Sequence, residues 1–113
     1  MEDGELLRVL KALGHATRFR MVQEIAAAGE LGCGEIAGRF AVAQPTISHH
    51  LKVLTDAGVV AIRRAGQHGF CTVNRDLIAR ATALLPDRVA PPRASRKRPA
   101  SKARTRRRRP AAR

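Results

Sequence analysis

Tryptophan and tyrosine are absent from this chain of 113 residues, and only three phenylalanines (Phe19, Phe40, Phe70) supply aromatic rings. Proteins that hold single-stranded nucleic acid generally stack bases on aromatic platforms, and this chain has none to offer. There are two cysteines, Cys33 and Cys71. They are too few and too far apart for a disulfide framework or a zinc ribbon. No apolar run reaches the roughly 18 residues that a membrane-spanning helix requires. The opening MEDGE is acidic and lacks the charged-then-apolar layout of a signal peptide, so a cytoplasmic location is expected.

Acidic residues are also missing from the last quarter. Residues 1–87 contain ten Lys/Arg and all nine Asp/Glu, whereas residues 88–113 contain the other twelve Lys/Arg and no acid. The net charge of +13 therefore describes a nearly neutral domain (1–87) joined to a basic tail (88–113). From Ala90 onward the tail has no large apolar side chain. It cannot bury enough surface to offset its conformational entropy, so disorder is expected. An arm of this kind suits a polyanion, nucleic acid before an anionic membrane surface.

Catalysis is not expected. The acids are scattered, no glycine-rich phosphate cradle occurs, and a domain this small has no room for a deep pocket, so no cofactor is implied. With 20 alanines the core must be thin, and small domains with thin cores often gain stability by oligomerising.

Apolar periodicity organises the first 87 residues. Leu6, Leu7, Leu10 and Leu13 mark a first helix stopped at Gly14, and Phe19, Val22, Ile25 and Ala26 a second ending at Gly29. A short third helix runs from about Cys33 to Phe40, with Ile36, Ala37 and Phe40 facing inward. A fourth occupies about 43–57. VVAIRR and FCTV read as two strands flanking the loop AGQHG. Leu77, Ile78, Ala81, Leu84 and Leu85 mark a fifth helix, stopped by Pro86. The fold class is mainly α with a small β-hairpin, five helices plus a two-stranded wing.

The fourth helix carries the functional signal. At about 100° per residue, Ile47, Leu51 and Leu54 form one buried stripe, and His50 sits beside it. His49, Pro45 and Lys52 project to the opposite side, flanked by Thr46 and Ser48. Adjacent histidines diverge on a helix and cannot share an ion as an i, i+4 pair can. No metal site is therefore read from His49 and His50. Gln44, Thr46, Ser48 and His49 instead present short neutral donors and acceptors, as base edges and phosphates require. A short helix, a tight turn and such a helix make a helix-turn-helix. The hairpin behind it, with Arg63, Arg64 and Gln67, is a wing able to reach phosphates or the minor groove. Double-stranded DNA is the implied partner. The competing reading is a non-specific, architectural or RNA-associated protein whose affinity comes from the basic tail.

The segments LKALGHATRFRMVQEI, GELGCGEIAGRF and AVAQPTISHHLKVLTDAGVVAIRRAGQHGFCTV resemble the ArsR/SmtB family of winged-helix repressors over roughly residues 4–85. That resemblance implies a homodimer joined through its first and last helices and bound to an imperfect inverted repeat. It places Gln44, Thr46, Ser48 and His49 at DNA-contacting positions, with the wing's Arg63, Arg64 and Gln67 near phosphates; Lys52, on the same outer side of the helix as His49, joins this DNA-binding set. Where relatives have a hydroxyl cap before the fourth helix, this chain has Ala43. The family's two common metal sites are not intact. Gly32 and Gly34 stand at one site's cysteine positions, and the stretch from Leu77 to Leu85 has none of the Asp and His of the other. Cys33 and Cys71 remain a candidate thiol switch, provided their Cα atoms lie within about 7 Å.

Overall fold

The computed structural model describes residues 1–90. Five helices, α1 (Asp3–Leu13), α2 (Ala16–Ala28), α3 (Cys33–Arg39), α4 (Gln44–Asp56) and α5 (Arg75–Arg88), surround a small antiparallel sheet of β1 (Leu31–Gly32), β2 (Val60–Ala65) and β3 (His68–Val73). The strand order is β1-β3-β2. The mainly α winged helix-turn-helix expected from the sequence is the fold observed.

Local chemistry sets the helix ends. The Glu5 carboxylate accepts the Glu2 N–H at 2.9 Å and closes the start of α1, where acidic side chains also suit the helix dipole. His15 caps α2 by accepting the Thr17 N–H at Nδ1, 3.1 Å away. Asn74 caps α5 through the Leu77 N–H at 3.1 Å. Ala43, ahead of α4, has no side chain that can do the same.

Leu6, Val9 and Ala12 of α1, Met21, Val22 and Ile25 of α2, and Ile47, Leu51 and Leu54 of α4 meet in the core with Ile36, Val59, Val60 and Cys71. A charged group lies among them. Arg18 of α2 is buried. Its Nε donates to the Ala12 carbonyl at 2.8 Å and its Nη2 to the Lys11 carbonyl at 3.0 Å. Its Nη1 donates to Nδ1 of the buried His50 on α4, 3.3 Å away. The guanidinium thus caps the C-terminal carbonyls of α1 and ties three helices together.

Several details differ from the sequence reading. Phe19 is 49% exposed and Leu7 63% exposed, while Arg18 and Met21 point inward. A third strand, β1, pairs Leu31 with Cys71 and Gly32 with Phe70. The ladder between β2 and β3 continues to the pair Ala65–His68, so the wing turns on Gly66 and Gln67 alone rather than on a five-residue loop. Gly66 takes φ +62°, which glycine adopts without strain. Helix α5 does not stop at Pro86 but runs on to Arg88. Proline removes one N–H in this last, exposed turn, and Arg88 anchors the end by donating to the Asp3 carboxylate and the Met1 carbonyl. Arg88 therefore closes the domain rather than opening the tail. Residues 91–113, where the disordered basic segment is expected, lie outside the described residues.

Replacing Arg18 with Met should cost about 3 kcal/mol, because two carbonyls and a ring nitrogen lose a charged donor inside the core. Urea unfolding of the variant beside the parent measures it. A pH dependence follows from the same cluster. Burial first, then the neighbouring His15, Arg18 and His49, press the pKa of His50 below its usual 6.5. The unfolded chain takes up a proton near that value, while the folded chain resists protonation to lower pH. Stability from this group is therefore complete above pH 6.5 and is lost as pH falls through the folded value. His50→Asn, which keeps an acceptor near the Nδ1 position, should flatten the loss of stability as pH falls below 6.5 in urea titrations.

Candidate nucleic-acid interface

Helix α3, the turn at Phe40–Ala43 and α4 form the helix-turn-helix. Packing fixes how α4 presents itself: Ile47, Leu51 and Leu54 are buried, and His50 is held by Arg18. The remaining positions of its N-terminal half are left outside. Gln44, Thr46, Ser48, His49 and Lys52 are all exposed. The two adjacent histidines thus have separate duties, one inside and structural, the other outside and free to contact a ligand. Pro45 lies within the first two helical positions, where its missing N–H costs no intrahelical bond.

The wing brings a second set of side chains. Arg63, Arg64 and Gln67 are exposed, but alternation along β2 sends the two arginines to opposite faces of the sheet. Arg64 faces α4 and shares a groove of about 390 Å³ with Gln44, Ser48 and Lys52. Gln67, at the wing tip, joins Arg64, Glu35 and His68 around a neighbouring groove. Arg63 goes the other way. Its Nη2 and Nε donate to Glu30 at 3.0 and 3.3 Å, and its guanidinium lies 4.8 Å from the centre of the Phe70 ring. The Glu30 contact raises its pKa further, so it is permanently charged. Of the residues singled out in the sequence, Gln44, Ser48, Lys52 and Arg64 converge; Thr46 and His49 occupy the exposed flank; Arg63 is separate.

Lys52 is not unpaired, since its Nζ lies 3.1 Å from Asp56 one turn on. Both groups are well exposed, and such a pair contributes little and exchanges readily for a phosphate. Among the described residues no group of three or more His, Cys, Asp or Glu is arranged to hold a metal ion. No helix among them is long and apolar enough to cross a membrane. Sequence reasoning missed Glu30 and Arg18. Glu30 carries no local pattern and gains its role only through the fold. Arg18 sits one residue before the apolar Phe19, which attracted the assignment instead.

Known proteins share this sequence pattern and fold. Residues 13–63 match the helix-turn-helix domain family. Over 70 residues the chain is 34% identical to the transcriptional repressor SdpR of Bacillus subtilis, covering 62% of this chain and 77% of that protein. It is 31% identical over 78 residues to an arsenical resistance operon repressor of Staphylococcus aureus, covering 69% and 74% respectively. In fold it is similar to a crystal structure of an ArsR family transcriptional regulator, with a TM-score of 0.69 at 22% identity, over 78% of this chain and 90% of that one.

Proposed function

The chain belongs to the ArsR family of winged helix-turn-helix transcriptional repressors, and we propose that it acts as a homodimer that reads an imperfect inverted repeat in double-stranded DNA. The observation that supports this most is the convergence of Gln44, Ser48 and Lys52 of α4 with Arg64 of the wing on one open groove. In this reading α4 lies in the major groove. The Gln44 amide pairs with adenine through both its groups, Thr46 and Ser48 contact bases or phosphate, and His49 contacts a base edge. Lys52, Arg64 and Gln67 take phosphates and set the register. Arg63, bonded to Glu30, serves as a strut that holds the wing upright. No catalytic role, metal or cofactor is assigned. A repressor acts where the DNA is, and with bacterial relatives we infer a cytoplasmic location.

The apolar face shared by α1 and α5 supports the dimer. Leu7 is 63% exposed and Val89 71% exposed, and both line a groove with Leu6, Leu10 and Leu85, edged by Asp3 and Arg88. Patches of this kind, rimmed by charge, mark protein contacts. A two-fold pair of α4 helices matches two half-sites about one helical turn apart.

Anisotropy titration with the DNA upstream of the protein's own gene tests the DNA reading. Gln44→Ala and His49→Ala should each erode sequence preference by roughly 1–3 kcal/mol. Arg64→Ala should weaken binding on all sequences alike and lower the salt slope by about one. Removing residues 91–113 should flatten the salt dependence and leave preference intact. If that deletion abolished preference while His49→Ala left it untouched, the non-specific, tail-driven reading would replace this one. Leu7→Glu should convert the dimer to monomer in sedimentation equilibrium and weaken operator binding; a variant that stayed dimeric would remove α1 from the interface.

A further inference from the structure

Two sulfur atoms meet where the helix-turn-helix joins the wing. Cys33 is the first residue of α3 and Cys71 lies in the middle of β3, yet their Sγ atoms are 3.6 Å apart. The register explains the meeting. Leu31 faces Cys71 and Gly32 faces Phe70 across the antiparallel pair, so one further step puts Cys33 opposite Gly69 and diagonal to Cys71. Gly69 is not a turn glycine, since the positive-φ glycines are Gly29, Gly58 and Gly66. Space is what it provides. A Cβ at Gly69 would stand 3.1 Å from the Cys33 sulfur and 3.4 Å from a guanidinium nitrogen of Arg64. The missing side chain leaves room for Cys33 to lie over the strand toward its partner.

The two thiols are unequal. Cys71 is fully buried. Its pKa is pushed up to about 12, by burial first and then by the hydrogen bond and charge of Cys33. Cys33 is half-buried and borders both grooves on this face. A solute can therefore reach Cys33 first. With only two sulfurs, and no set of three metal-ligating side chains among the described residues, the pair falls short of a closed metal site.

We propose that Cys33 and Cys71 form a reversible disulfide site, oxidised by hydroperoxides, that couples the helix-turn-helix to the wing. The Cys33 thiolate attacks one peroxide oxygen, the O–O bond breaks, and hydroxide leaves to become water. Cys33 is then a sulfenic acid. Cys71 sulfur attacks the Cys33 sulfur, the S–O bond breaks as the S–S bond forms, and the departing oxygen takes the Cys71 proton as a second water. Two thiols are oxidised and one hydrogen peroxide is reduced; a dithiol reductant reverses the change. A disulfide needs its sulfurs at about 2.05 Å, so they must close by roughly 1.5 Å. That pull acts on the first residue of α3 and shifts α4 relative to Arg64. The effect on DNA rests on the DNA-binding reading above; formation of the bond does not.

The test uses the full chain, C33S and C71A, each reduced and then exposed to hydrogen peroxide. Intact mass should show the parent losing two hydrogens within one chain and regaining them with dithiothreitol. C71A should instead hold a sulfenic acid at Cys33 that dimedone traps, and C33S should show neither change. Operator affinity of the oxidised parent should fall at least tenfold and recover on reduction, whereas C33S should keep the affinity of the reduced parent throughout. Both thiols staying free in the treated parent, a bond between chains instead of within one, or unchanged affinity after the bond has formed would each overturn the proposal. Failure of the reduced parent to bind any DNA would count against the DNA-binding reading alone, because the mass measurement stands apart from it.

Discussion

A single buried guanidinium holds this fold in register. Arg18 projects from α2 into the place where α1 ends and α4 passes, and it donates to Ala12, Lys11 and His50 at once. Taking such a charge out of water is costly, and it is tolerated only where its donors are met. Here the acceptors are largely carbonyls at the negative end of a helix dipole. The direction of α4, and hence what its outer face presents, is set by this side chain together with the buried Ile47, Leu51 and Leu54. That also accounts for the histidine pair: His50 must accept from Arg18 and stay neutral, and His49, one residue earlier, is turned outward by the geometry of the helix.

Around this lock the interface is built from contrasts of one residue. Ile47 is buried and Ser48 exposed; Arg64 faces α4 while Arg63 is bonded behind the sheet to Glu30. The surface that gathers Gln44, Ser48, Lys52 and Arg64 is therefore not a general basic patch. Residues 1–87 are close to neutral overall, and discrimination by short polar groups fits such a domain better than bulk attraction does.

Much of this was legible in the sequence because helical periodicity is a strong local signal. The stripe of Ile47, Leu51 and Leu54 placed α4 to within a residue at each end. The failures have physical reasons. A two-residue strand such as β1 has no period to read, and its pairing with Cys71 comes from a segment 40 residues away. Phe19 and Arg18 exchanged places because an arginine satisfied by backbone carbonyls leaves no trace in hydropathy. Pro86 broke the pattern but not the helix, since the last turn has little left to lose. The split between Arg63 and Arg64 follows from strand alternation alone, since neighbours on one strand point to opposite faces. The meeting of the sulfurs was not, because it depends on a ladder that only the fold establishes.

Ala43 has a consequence of its own. Helix α4 begins behind a methyl group that offers no side-chain acceptor, and only the Ala43 carbonyl, taking the Thr46 and Ile47 N–H groups at 2.9 and 3.1 Å, closes its first turn. A serine or aspartate there would make the helix start firmer by about 1 kcal/mol, yet on the DNA-binding reading proposed above its oxygen would stand beside the duplex, and a carboxylate would repel the phosphates. The chain keeps the looser beginning. In that same proposed reading, a phosphate oxygen at this helix start would supply the acceptor that the chain itself omits.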